Sequence, residues 1–131
     1  KDLYNFPKNK FVANFIGDAN VVKAEIVNKQ SNSYELKLAE MNIKIESDKD
    51  LKNSVSVALR PEKIRIETTN NDNCIHASVN NASFVGSSYQ YILNSKIGKL
   101  YVISGDTSDP FKVGEEVFLS LDKKDVKVLN D

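Results

Sequence analysis

The hydrophobic pattern of this 131-residue chain changes its period near Gly17. Before that position, apolar residues recur at i, i+4 spacing between Lys10 and Ile16, with Asn9 placed to cap the amino end and Gly17 just past the last turn. We predict a short helix over residues 10–16. Two turns are too few for an isolated helix, so its apolar face is expected to dock either on the β domain that follows or on a domain outside this sequence.

After Gly17 the period is two, which is typical of half-buried strands. Polar, turn-rich pieces separate the apolar runs, and the Asn70–Asn73 break falls near the middle of the chain. We therefore predict an all-β fold of short antiparallel strands. Closed or nearly closed barrels are expected, because closure removes unpaired strand edges.

An internal repeat joins the two halves of the chain. Five apolar positions, which begin with Val55 and end with Ile66, recur 62 positions later, from Val117 to Val128. This spacing predicts two related β units, with sub-lobes at about residues 18–69 and 74–131. The repeat places the same positions inward in both units, so the predicted core includes Val57, Leu59, Ile64, Val117, Leu119 and Val126.

Composition disfavours two classes of partner. Lys+Arg and Asp+Glu are both 18, so the formal charge is zero, and no strong attraction to nucleic acid or to an anionic membrane is expected. A β-barrel that binds single-stranded nucleic acid remains an alternative, but it needs a basic groove, and the arginines are Arg60 and Arg65 alone. The one cysteine, Cys74, fits a reducing, cytosolic setting.

The chain carries no recognisable catalytic motif. It lacks a phosphate-binding loop, and its five glycines are too scattered to cradle a nucleotide. Cys74 and His76 form a Cys-x-His pair, but a structural zinc site needs about four ligands and no further Cys or His is present. We therefore predict no catalytic residue, no metal site and no cofactor within this chain.

The strands of the second half carry apolar residues on both faces. A strand with one face in water would not turn such side chains outward. Either both faces are covered within one compact fold, or the outer face is a subunit contact. The candidate interface consists of Ile92, Tyr101, Ile103 and Phe118.

An acidic loop near the carboxyl end is the other candidate site. A small-ligand-sensing module for a polycation would need convergent carboxylates and aromatic rings. Tyr101 or Phe111 could supply the ring. The acidic residues that qualify are Asp106, Asp109, Glu115 and Glu116. The alternative is a set of solvated loop acids.

A series of short motifs runs from the amino end into the first β unit: Leu3-Tyr4, Phe6-Pro7, Asn9, Phe11-Val12-Ala13, Phe15-Ile16-Gly17, Asn20 and Arg60-Pro61-Glu62. This series resembles the C-terminal transport-associated OB (TOBE) region of ABC importer ATP-binding subunits. Within that group the chain is most similar to the spermidine/putrescine importers, on the Asn70–Asn73 run, the Phe84-Val85-Gly86 turn and the acidic loop.

The resemblance implies a division of the chain and a set of partners. Residues 1–17 would be a linker helix from an ATPase core that is not part of this sequence, and residues 18–131 an OB-like regulatory and dimerisation domain. ATP and Mg²⁺ would bind that missing core. The partners would be a second copy of the chain, the ATPase core and the permease subunits, at the cytoplasmic side of the membrane, and the cargo a polyamine.

Overall fold

The structure, a computed structural model, describes residues 19–129 as two five-stranded antiparallel sheets. This confirms the all-β, OB-like prediction, while the predicted helix over residues 10–16 lies outside the described residues. The strands are β1 Asn20–Gln30, β2 Ser33–Leu38, β3 Met41–Glu46, β4 Ser54–Leu59, β5 Arg65–Glu67, β6 Ile75–Val85, β7 Ser88–Ser95, β8 Gly98–Ser104, β9 Glu116–Ser120 and β10 Val126–Val128.

The two sheets repeat one strand order. The first sheet runs β10-β4-β1-β2-β3 and the second β5-β9-β6-β7-β8, so each strand of one sheet has a counterpart in the other. Each sheet also contains a bulged 11-residue strand at its centre, with the bulge between Ile26 and Asn28 in β1 and between Val79 and Asn81 in β6. A bulge bends its strand and increases the local twist, which curls each sheet towards a barrel.

The sheets exchange their last strands. β5 follows β4 in the chain but pairs with β9, where Ile66 faces Leu119. β10 follows β9 but pairs with β4, where Val126 faces Leu59. The boundary expected near residues 70–73 therefore divides the chain between β5 and β6, but each sheet takes one strand from the opposite half.

Two short 3₁₀ helices make these crossings, Pro61–Lys63 and Lys123–Asp125. They lie 62 positions apart, as the apolar repeat does. Pro61 ends the β4 ladder, since proline has no N–H to donate, and redirects the chain towards the second sheet.

One continuous core lies between the sheets. Val22, Leu36 and Ile43 of the first sheet pack in the same cluster as Leu93 and Leu100 of the second. The six residues predicted as core are buried there, at 7% exposure or less: Val57, Leu59, Ile64, Val117, Leu119 and Val126.

Leu59 provides a direct test of this core, because it is fully buried where β4 contacts both β1 and β10. We expect Leu59→Ala to lower the free energy of unfolding by about 2–5 kcal/mol, since the removed methyl groups leave a cavity. Urea titration followed by circular dichroism measures the loss. Val113→Ala is the control because Val113 is 67% exposed, and an equal loss in both variants would contradict this packing.

Candidate functional site

Asn20 connects the two sheets through its side-chain amide. Its Nδ2 donates to the Leu59 carbonyl at 3.1 Å and to the Tyr101 carbonyl at 2.8 Å, while its Oδ1 accepts from the Tyr101 N–H at 2.6 Å. Tyr101 lies on β8, an edge strand of the second sheet, so the amide satisfies its N–H and C=O, which point away from β7. Only 3% of Asn20 is exposed, which makes these bonds costly to lose.

The Arg60-Pro61-Glu62 motif reaches the same place. Its 3₁₀ helix packs on β8, and Pro61 is buried beside a small cavity of about 150 Å³ that Tyr101 also lines. Arg60 is half-buried and its carbonyl accepts from the Lys63 N–H at 3.0 Å, while Glu62 is exposed. Asn20 and Pro61 therefore meet at β8, whereas the motif residues Phe15, Ile16 and Gly17 lie outside the described residues.

A second asparagine forms the corresponding link from the other half of the chain. The Asn73 Oδ1 accepts from the Asn42 N–H at 2.7 Å and its Nδ2 donates to the Asn42 carbonyl at 2.8 Å. Asn42 lies on β3, an edge strand of the first sheet. Each half of the chain therefore uses one asparagine to hold an edge strand of the opposite half, although Asn73, unlike Asn20, is exposed.

Glu40 adds an ionic contact beside Asn73. It accepts from the His76 N–H at 3.1 Å and lies 3.3 Å from the Lys96 ammonium. Burial acts to raise the pKa of Glu40, but the His76 N–H, the backbone N–H of Glu40 itself and Lys96 outweigh it, so the pKa lies below its ordinary value. Glu40 is thereby kept as a carboxylate that joins the β2–β3 turn to β6.

The candidate interface residues occupy two separate places. Ile92 pairs with Tyr101 across β7 and β8, and Ile103 lies two residues further on, so these three share one outward face. Phe118 lies instead on β9, half-buried, with its ring 5.1 Å from the His76 ring in an edge-on arrangement. An interface centred on Tyr101 therefore leaves Phe118 aside.

Two of the four acidic candidates, Asp106 and Glu115, accept hydrogen bonds from residues of the loop that precedes β9. Ser108 donates to Asp106 from its hydroxyl at 2.7 Å and from its N–H at 3.1 Å, and these bonds hold the pKa of Asp106 below its ordinary value. Glu115 accepts from the Lys112 N–H at 3.0 Å. Asp109 and Glu116 are exposed. The ring of Phe111 turns inward against Tyr91, at 5.7 Å between ring centroids.

Between residues 19 and 129 no group of three or more His, Cys, Asp or Glu side chains is placed to hold a metal ion. Within the same span, no helix is long and apolar enough to cross a membrane. The junction offers hydrogen bonds and packing between two sheets, together with small surface cavities. These contacts hold the two sheets together.

Two OB-like five-stranded sheets that exchange strands define the class of this protein as an all-β, OB-like domain. The family follows from the sequence comparison, in which the model of the TOBE domain matches residues 57–129. The chain belongs to the TOBE domain family. The matched segment starts in β4 and ends after β10, so it contains both exchanged strands and the Arg60-Pro61-Glu62 motif.

Curated proteins similar to this chain include two kinds of import ATP-binding protein. The chain is 30% identical to the Fe(3+) ions import ATP-binding protein FbpC of Fusobacterium nucleatum subsp. nucleatum, over 100% of the chain and 35% of that protein. It is also 30% identical to the spermidine/putrescine import ATP-binding protein PotA of Salmonella typhi, over 79% of the chain and 29% of that protein. The chain thus spans about a third of the length of these relatives.

Among solved structures, the cytoplasmic molybdate-binding protein ModG has the same fold. The TM-score is 0.68, with 86% of this chain and 96% of that chain covered and 10% sequence identity. At this identity the likeness concerns the fold alone.

Asn20 was recognised from the sequence as a motif residue, and the structure shows what its amide does. We expect Asn20→Ala to destabilise the chain by about 1–3 kcal/mol, because it leaves the N–H and C=O of Tyr101 without their side-chain partner and removes one hydrogen bond to the Leu59 carbonyl. Chemical denaturation measures this loss. Asn73→Ala is the matched control: water can replace the amide at this exposed position, so its loss should be smaller, and a larger loss would contradict the role of Asn20.

Proposed function

We propose that this chain is the accessory domain of an ABC importer ATP-binding subunit and follows the ATPase core of that subunit. The observation that carries the proposal is the match along the whole chain to about a third of an import ATP-binding protein, together with membership of the TOBE family. ATP and Mg²⁺ would bind the core. The permease subunits would hold the assembly at the cytoplasmic face of the membrane.

The fold supports a tethering and regulatory role. Exchanged strands and two asparagine links make the paired sheets one body with a continuous core. Such a body resists deformation when its neighbours move, because sliding one sheet past the other would break backbone ladders as well as side-chain contacts. It could therefore hold two ATPase subunits together while their nucleotide sites open and close.

The surface proposed for self-association is the outward face formed by Ile92, Tyr101 and Ile103. Tyr101 is 45% exposed and lies beside Pro61 at the small cavity. Aromatic side chains are enriched in interface centres, and their partly apolar faces favour burial. In a twofold dimer the same face would meet its copy.

The cargo that we propose is a polyamine, on the motifs shared with the spermidine/putrescine importers. Iron is the competing cargo, since similar proteins of both kinds reach 30% identity. In such importers we expect other subunits to select the cargo, so the identity of the cargo must be tested on the whole transporter.

The proposal that this chain follows an ATPase core can be tested on the gene sequence and on the isolated chain. Upstream of the codon for Lys1 we expect a segment that encodes a phosphate loop, and the 131-residue chain itself should not bind ATP, because it lacks that loop. Calorimetry with MgATP measures nucleotide binding by the chain. The cargo is tested by the uptake of labelled putrescine and of Fe³⁺ in cells with and without the whole gene. Micromolar ATP affinity in the chain alone would contradict the proposal.

The dimer surface is tested by charge. Tyr101→Glu should weaken self-association at least tenfold, because two desolvated carboxylates would meet across the twofold axis. The backbone links of Tyr101 to Asn20 do not depend on its side chain, so the fold should persist. Sedimentation equilibrium compares this variant with Val113→Glu, which changes an exposed valine on the loop after β8. Equal effects, or a monomeric parent chain, would contradict this surface.

A further inference from the structure

An open groove of about 650 Å³ lies between β3 and β10. These are the two edge strands of the first sheet, so the groove marks where that sheet does not close into a full barrel. One wall is formed by residues 44–47, and the other by Lys123, Lys124 and residues 126–128.

The groove concentrates positive charge in a chain whose formal net charge is zero. Among residues 19–129, four lysines line it against one carboxylate, Glu46. The lysines are Lys44, Lys123, Lys124 and Lys127. All four are exposed. The nearby Asp122 carboxylate lies at 3.3 Å from Arg65, so it is already engaged outside the groove.

Both walls also present backbone groups that pair with no other strand in the part of the chain that the structure describes. The Leu129 N–H bonds to Ser56 of β4, so the N–H and C=O of Val128 turn the other way, into the groove. On β3, Asn42 directs its backbone outward to Asn73, and the same alternation turns the backbone of Lys44 outward. The groove therefore has hydrogen-bonding edges on two sides.

The corresponding place in the second sheet is different. There the 3₁₀ helix at Pro61–Lys63 packs on β8, and the Asn20 amide occupies the Tyr101 backbone. The cavity beside this helix has a volume of about 150 Å³, and the described residues that line it are all uncharged. By the 62-residue repeat, Lys123 stands where the other half has Pro61. A wide, lysine-lined gap is therefore not required by the architecture.

We propose that this groove binds an extended, acidic polypeptide segment of a partner protein. Edge backbone groups would pair with the segment as an added strand, and the four lysines would face its carboxylates. The lysines favour an acidic partner by charge complementarity, and the free backbone groups on the two edge strands favour an extended one. A competing explanation is that the lysines only protect the edges from unwanted pairing. The proposal is independent of the transporter assignment.

The probe is an acetylated and amidated ten-residue peptide of alternating glutamate and valine, titrated into the ¹⁵N-labelled 131-residue chain and followed by NMR. We expect submillimolar binding, weakened by salt, with the largest shifts at the amides of Lys44, Glu46 and Val128. Lys124→Glu combined with Lys127→Glu should weaken binding at least tenfold. The control pair, Lys23→Glu with Lys37→Glu, changes the net charge equally outside the groove and should weaken it less than threefold.

A second probe separates strand addition from simple charge attraction. The same peptide N-methylated at alternate residues cannot pair along one edge, and we expect at least fivefold weaker binding. Equal binding of the two peptides, equal effects of the two variant pairs, or no binding at millimolar peptide would overturn the proposal. So would preferential binding to vesicles of anionic phospholipid, which would make the groove a membrane contact. Variants that merely self-associate, with peptide binding unchanged, would show edge protection only.

Discussion

The exchange of β5 and β10 between the two sheets is the constraint on which the rest of this structure depends. Each last strand completes the sheet of the opposite half, so neither half has its full ladder without the other. The crossing requires the chain to leave β4 and β9 in a defined direction, which the 3₁₀ helices at Pro61–Lys63 and Lys123–Asp125 provide. The continuous core follows from this exchange, because both sheets bury the same cluster.

Two of the motif residues that the structure describes, Asn20 and Pro61, connect the two sheets. Asn20 and Pro61 come from opposite ends of the first sheet's chain segment and both meet β8. The Asn20 amide forms hydrogen bonds with the backbone of the edge strand, and Pro61 redirects the chain after β4. These two motif residues therefore mark where the two sheets are held together.

The pseudo-symmetry of the sheets makes their differences informative. Two asparagine links, at Asn20 and Asn73, hold corresponding edge strands, yet one is buried and the other exposed. The β8 edge of the second sheet is covered by a 3₁₀ helix beside a small cavity, whereas the β3 and β10 edges of the first sheet flank a wide groove lined by lysines. The two crossings also differ in sequence, because Pro61 of the first has Lys123 as its counterpart in the second.

The sequence by itself determined the strands, the core and the repeat, because alternation of apolar residues reflects burial directly along the chain. Leu59 and Leu119 were placed inward from pattern alone, and both are fully buried. The strand exchange, the amide links and the lysine groove were decided only by tertiary structure. They depend on which edge strand lies beside which side chain, and hydrogen bonds such as that from Asn20 to Tyr101, 81 positions apart, leave no periodic trace in the sequence.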